Sequence, residues 1–279
     1  MTNAPENPVT PGRRLFTANV RRREDRIDLG LAALLIAKEE YPRMVIEDYL
    51  ERLDILATGL AVEIDLEAAP EQITATIGEY LSGSQGIDGD REDYYNPRNS
   101  YLNEVMDRRL GLPIALSLLY IEVARRVGVQ LLPVPMPGHF VLKLKHDDGE
   151  TYLDPFNRGA VLDVDGCRRL FEKVAGEGAA FSPSMLAAGT KRQLLGRLLN
   201  NLKSSYLSGH DFERALRTIE LLLAITPWAL DEVRDRGLLL YALGRFEPAL
   251  TDLRTYVENS PPGENRDSVE AAIRRITSA

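Results

Sequence analysis

The stretch LPIALSLLYIEVARRV, residues 112–127, constrains this 279-residue chain more than any other. Between Ile114 and Val123 apolar side chains cover almost the whole circumference, so a helix here has no polar face to offer water and belongs at the centre of a core. Pro113 suits its first turn, where a missing N–H costs nothing and the fixed φ is already helical. Gly111 stops the preceding segment, and Gly128 fits the C-terminal cap. Glu122, Arg125 and Arg126 interrupt the apolar run too early for a membrane span. Three segments of a different period follow: VQLLPVPM (129–136), HFVLKLKH (139–146) and ETYLDP (150–155). They read as strands, with Asp147–Glu150 as a hairpin turn. A buried helix followed by an antiparallel sheet is an α+β arrangement, here in a helix-rich chain.

Upstream the pattern is helical. DLGLAALLIAKEE (28–40) places Leu31, Leu34, Leu35 and Lys38 at helical spacing. A second helix is expected to open at Pro42, with Met44, Tyr49, Leu50, Leu53 and Leu56 as its buried stripe. A third covers 69–81, and the Gly-, Ser- and Asp-rich run 82–93 reads as a loop. NSYLNEVMDRR (99–109) is a short helix with Asn99 or Ser100 as N-cap. Downstream, YLSGHDFERAL…LAITPW and YALGRFEPAL…ENSPPG align at a period of 34, pairing Phe212 with Phe246, Ala215 with Ala249, Ile219 with Leu253 and Pro227 with Pro261. Each alanine lets two helices approach closely and each proline stops the second helix. This helix–turn–helix repeat resembles the tetratricopeptide repeat, which implies two repeats, a capping helix at RDSVEAAIRRITSA, and a surface suited to a protein or peptide partner.

Four regions result: a flexible basic N-terminal arm (1–26, its first dozen residues disordered), a helical region packed on the core (27–85), the α+β core (86–190) and the repeats with their cap (191–279). The 44% hydrophobic content supports a sizeable core. A net charge of −8 disfavours general nucleic-acid binding. The exception, RRLFTANVRRREDR, reads as a solvated basic arm. One cysteine, no apolar leader and no membrane span point to the cytoplasm. His139, His146 and His210 show no metal-ligand spacing, and no phosphate-binding glycine loop is present, so neither a metal nor another cofactor is expected.

NEVMDRRLGLPIALSLLY, GHF and DPFN, taken together, resemble the transglutaminase-like superfamily, and more narrowly its bacterial SirB-type branch, which couples such a core to C-terminal tetratricopeptide repeats. The resemblance spans roughly residues 27–262. It implies a papain/transglutaminase-like core, a central helix on a small antiparallel sheet. Active members carry a cysteine at the front of that helix, a histidine on the next strand and an aspartate on the one after. The place is favourable, because free N–H groups and the positive helix end stabilise a thiolate. His139 and Asp154 match the second and third positions; the first falls on Pro113, which has no nucleophilic atom. The resemblance therefore implies a pseudoenzyme that binds or regulates. An amide-bond hydrolase or acyltransferase would need another nucleophile. Ser117 lies one turn further on the same helix face, and Ser100 lies on a different helix. Cys167, the only thiol, stands near a helix start that could lower its pKa, but follows Asp154 in the chain. A purely structural scaffold is the third reading. Asn99, Asn103 and Asn157 are candidates to line the groove, with caps and surface pairing as their plainer roles.

Overall fold

The computed structural model describes residues 10–176 and 179–278. Two compact units divide the chain within one helix, at Leu198 and Leu199. The larger runs from Arg22 to Leu198, and the other joins residues 10–21 to 199–278.

In the larger unit, helices α2 (Leu29–Glu40) and α3 (Ile46–Glu63) pack against the later central helix. Asp28 caps α2 by accepting from the Leu31 N–H. Most of α2 is buried rather than one face of it, because Ala32, Ala33 and Ala37 fill the sides between the leucines. Helix α3 starts four residues later than Pro42 suggests. Residues 41–44 close a turn, with Met44 N–H bonded to the Tyr41 carbonyl and Lys38 reaching the Met44 carbonyl. Helix α4 (Pro70–Gly78) ends in a π-helical turn, Glu79–Ser84. The expected loop beyond it contains a short strand, β1 (Asp88–Gly89), paired in parallel with β2 (Leu110–Gly111).

Helix α5 (Leu102–Arg108) is preceded by a 3-10 turn over Pro97–Ser100. Asn99 and Ser100 therefore lie in that turn, and Tyr101 occupies the cap position without a side-chain bond. Helix α6 (Pro113–Arg126) is the central helix, buried from Pro113 through Ala124. Its one buried acid, Glu122, is held by Arg126 at 2.6 Å and Arg125 at 3.1 Å. Gly128, at φ 88°, turns the chain out of the helix.

Strands β3 (Leu131–Val134), β4 (Val141–His146), β5 (Gly149–Asp154) and β6 (Ala160–Leu162) form an antiparallel meander in chain order. Leu131 faces Leu144, Leu142 faces Leu153, and Asp154 faces Ala160. Asp147 and Asp148 make the two-residue hairpin between His146 and Gly149. Strand β6 is too short to show a period in sequence. Helix α7 (Val164–Ala175) closes a second apolar cluster over the sheet, built from Val134, Met136, Val141, Tyr152, Cys167, Phe171 and Leu186.

The other unit holds the repeats. Helix α8 (Lys191–Ser208) supplies its C-terminal part, so the unit boundary falls after the expected 190. Helices α9 (Phe212–Ile225), α10 (Leu230–Ala242), α11 (Phe246–Asn259) and α12 (Glu264–Thr277) follow as two helical hairpins and a cap. Ala215, Ile219, Ala249 and Leu253 are fully buried at matched positions. Phe246, the repeat partner of Phe212, does not share this burial: it is half exposed and lies tilted against Tyr241. Residues 11–20 correct the reading of a flexible arm. They form helix α1 (Pro11–Val20), capped by Thr10 and packed on α9 through buried Phe16 and Val20, with Arg13 paired to Glu220. The surrounding arginines hid that apolar pair in the sequence. Residues 1–9, also read as part of the arm, lie outside the described residues. No helix among the described residues is long and apolar enough to cross a membrane.

Candidate functional site

Asp154 ends β5, and its carboxylate is the hub of the site. It is 1% exposed and caps the following 3-10 turn, Pro155–Asn157. Oδ1 accepts from the Phe156 N–H at 3.1 Å and the Asn157 N–H at 3.3 Å, while Oδ2 accepts from Asn157 Nδ2 at 2.6 Å. His139 Nε2 lies 3.0 Å from both oxygens. A carboxylate accepts, so Nε2 is the donor in this pair and Nδ1 is the ring nitrogen left over. Nδ1 has no hydrogen-bond partner among the described residues. A histidine with one nitrogen fixed by a carboxylate and the other free is the arrangement a general base requires.

His139 itself is held just before β4. Its backbone N–H donates to the Met136 carbonyl, and the edge-on ring of Phe156 lies 6.0 Å away. Phe156 and Asn157 are clamped in turn by Arg91, which stacks on the Phe156 ring and donates to the Phe156 carbonyl at 2.7 Å and to Asn157 Oδ1 at 3.2 Å. Gly89 makes room for this ring: a Cβ there would stand 2.4 Å from Phe156 Cδ2. Asn157 therefore braces Asp154. Arg91 and Phe156 were not singled out from the sequence; Phe156, inside DPFN, was the legible one.

Two further carboxylates stiffen the approach to α6. Asp88 binds Arg158, Arg91 and the Gly89 N–H. Asp90 accepts from the Glu92 and Asp93 N–H groups and from Arg108. Burial pushes both carboxyls up, but these donors outweigh it and hold both below the usual carboxylate range. A depressed folded pKa adds stability above the unfolded value that disappears as pH falls through the folded one. The protein is thus expected to lose stability as pH drops below about 4. Asp90→Asn should cost about 2 kcal/mol at pH 7 by leaving Arg108 without its charge partner. In urea melts that difference should shrink as the wild-type carboxyl protonates, and a pH-independent difference would refute the linkage.

Asn99 is fully buried, and its polar atoms are all used. Nδ2 donates to the Asp93 carbonyl, Oδ1 accepts from Arg108, and its carbonyl accepts the Leu112 N–H directly before Pro113. It is a strut that sets the start of α6, not a groove-lining residue. Asn103 is buried on α5, with Oδ1 unpaired among the described residues. Pro113 occupies the first turn of α6, where Leu112 makes no capping bond. Ser117 is 0% exposed, and its Oγ is unpaired among the described residues rather than bonded back to a carbonyl. Ser100 is buried in the 3-10 turn. Cys167 reverses the sequence expectation of a lowered pKa. Burial in the apolar cluster, with Asp154 and Asp163 nearby, pushes its thiol up to about 12. The structure thus joins His139, Asp154 and Asn157, and shuts Ser117 and Cys167 away from solvent.

Comparison with known proteins agrees with a transglutaminase-like core followed by repeat helices. The transglutaminase-like superfamily profile matches residues 47–200, and a tetratricopeptide-repeat profile matches residues 202–274. A UPF0162 protein of Xylella fastidiosa is 36% identical over 253 residues, which cover 90% of each chain. UPF0162 protein YchA of Escherichia coli is 30% identical over 241 residues, 86% of this chain and 88% of its own. Protein SirB1 of Salmonella typhimurium is 29% identical over 238 residues, 85% of this chain and 87% of its own.

Proposed function

Because this chain belongs to the transglutaminase-like superfamily and carries Pro113 at the front of its central helix, we propose that it is a pseudoenzyme: it binds a protein or peptide partner without cleaving it. The observation that supports this reading is a contrast: the His139–Asp154–Asn157 assembly is hydrogen-bonded throughout, while Pro113, on which the resemblance places the nucleophile, has no reactive atom. A base without a nucleophile can still donate, accept and orient, so the groove retains recognition chemistry and loses turnover. The hydrolase reading through Ser117 is disfavoured because a side chain sealed from solvent cannot meet a substrate carbonyl. Tetratricopeptide repeats generally mediate protein–protein contact, and here they supply the second binding surface. Trp228, 78% exposed between α9 and α10, is the residue to test on it.

The scaffold reading draws support from the burial of His139 and Asp154, since four bonds to one carboxylate also hold a fold together. Three full-length proteins separate the readings: wild type, His139→Ala and Trp228→Ala. Each is assayed for ammonia release from glutamine-containing peptides, for melting temperature and for partners retained from lysate. A pseudoenzyme releases no ammonia in any form, and its His139→Ala variant keeps its melting temperature while losing partners. Release by wild type that vanishes in His139→Ala would overturn the proposal. A large drop in melting temperature with unchanged partners would favour the scaffold.

A further inference from the structure

Helix α1 accounts for the first half of the basic stretch RRLFTANVRRREDR. The second half forms one wall of a solvent-open cleft of about 660 Å³ in the larger unit. Arg22, Arg23 and Arg26 line it, together with Arg125 in the last turn of α6 and Lys191 at the start of α8. Two carboxylates, Asp25 and Asp28, stand against these five cations. Asp28 is engaged as the N-cap of α2. Asp25 lies 3.4 Å from Arg23 and 3.7 Å from Arg26, in exposed pairs that contribute little. Arg125 shares the Glu122 carboxylate with Arg126, which holds it at the shorter distance. The Lys191 ammonium donates to the Ile27 carbonyl at 2.6 Å, leaving its other N–H groups for a ligand. Neither it nor the Arg22 guanidinium has a carboxylate partner among the described residues. The wall is also held from behind. Glu24 accepts the Lys191 backbone N–H and the Arg192 guanidinium at 2.8 Å, and Arg192 reaches the Arg22 carbonyl. The cations therefore project from a fixed backbone that a ligand does not have to order.

We propose that this cleft binds a linear oligophosphate through Arg22, Arg125 and Lys191. Guanidinium and ammonium groups converging from three segments suit an anion whose charge is spread over several phosphoryl oxygens. The concentration of positive charge is local, since the whole chain carries −8. The lining opposes other anions. Its apolar residues, Ile27 and Leu29, are each 2% exposed, so peptide side chains find no apolar floor. No aromatic ring among the described residues lines the cleft, so a base has no stacking partner and recognition falls on the phosphates. The concave shape and the volume fit a small ligand rather than a duplex or a bilayer surface. The cleft shares no residue with the His139–Asp154–Asn157 assembly, so the inference goes beyond the groove and stands independently of it.

The test is calorimetric titration of the full-length protein with tripolyphosphate, ATP and orthophosphate, in buffer free of divalent cations. Tripolyphosphate should bind at least about tenfold tighter than orthophosphate, because only the longer anion reaches more than one cation. Arg22→Gln and Arg125→Gln should each weaken tripolyphosphate by about tenfold, the effect of one charge-assisted hydrogen bond. Both variants should keep the wild-type melting temperature, since the Arg22 side chain makes no bond that the fold uses and Glu122 retains Arg126. Should one of them not fold, the other decides alone. Arg43→Gln, which removes an exposed arginine outside the cleft, should leave the affinity unchanged. ATP bound as tightly as tripolyphosphate, or tighter, would identify the phosphate tail of a nucleotide as the source. Tripolyphosphate bound tighter than ATP would identify a free chain, and either result supports the proposal. Equal affinity for tripolyphosphate and orthophosphate, absence of binding by tripolyphosphate and ATP, affinity unchanged in both cleft variants, or an equal loss in Arg43→Gln would overturn it.

Discussion

Pro113→Cys, made together with Cys167→Ala, is expected to create a thiol that ionises well below the ordinary value of about 8.5. The first turn of α6 begins without a side-chain cap, so its free N–H groups and the positive helix end favour a thiolate there. His139, with Nε2 fixed by Asp154 and Nδ1 unpaired among the described residues, supplies the second stabilising group. Iodoacetamide labelling at pH 6.5 should run on the order of tenfold faster than in a triple variant that also carries His139→Ala, matching about one pKa unit between them. Alanine is the better replacement for Cys167, because that side chain is enclosed by apolar groups and serine would bury an unpaired hydroxyl. A thiol at 113 with ordinary acidity, indifferent to His139, would show that the dyad and the helix front do not form one site.

Asp154→Ala is expected to be the most destabilising change at the site, costing about 3 kcal/mol or more. The carboxylate accepts from two backbone N–H groups, one side-chain amide and one imidazole, all inside the protein. Alanine leaves those donors without their shared acceptor in a largely buried region. Asp154→Asn should fall between, because its carbonyl oxygen still caps the turn while its NH2 meets the donors of Asn157 and His139 head-on. Urea denaturation of the three proteins gives the order. An alanine variant within 1 kcal/mol of wild type would mean the turn is held by Arg91 and Asp88 alone. The contrast with His139→Ala, expected to change stability little, separates the residue that supports the fold from the one that faces a ligand.

What the sequence determined by itself is local. The mostly apolar stretch Ile114–Val123 requires a buried helix, Pro113 and Gly128 bound it, and Asp147–Glu150 between the strand segments reads as a hairpin turn. Four landmarks recurring at 34 residues define the helical hairpins without any knowledge of their packing. Each follows from a period or a φ preference that a few neighbouring residues express alone. The approximate places of His139 and Asp154 were legible too, because the motifs around them are short and continuous. What only the tertiary structure decided depends on partners far apart in the chain. The reach of Arg197 to the Met136 carbonyl, the clamp of Arg91 on Phe156 and the pairing of Arg158 with Asp88 leave no local pattern. The basic segment at 13–26 looked solvated because its charges outnumber Phe16 and Val20, and packing on α9 gave those two residues their meaning. Cys167 shows the same divide. Its position near a helix start is local and suggests an acidic thiol, but the desolvation that makes it inert comes from side chains on the β3, β4 and β5 strands. Burial is a property of the assembled fold, and it decides which charged or reactive groups can act.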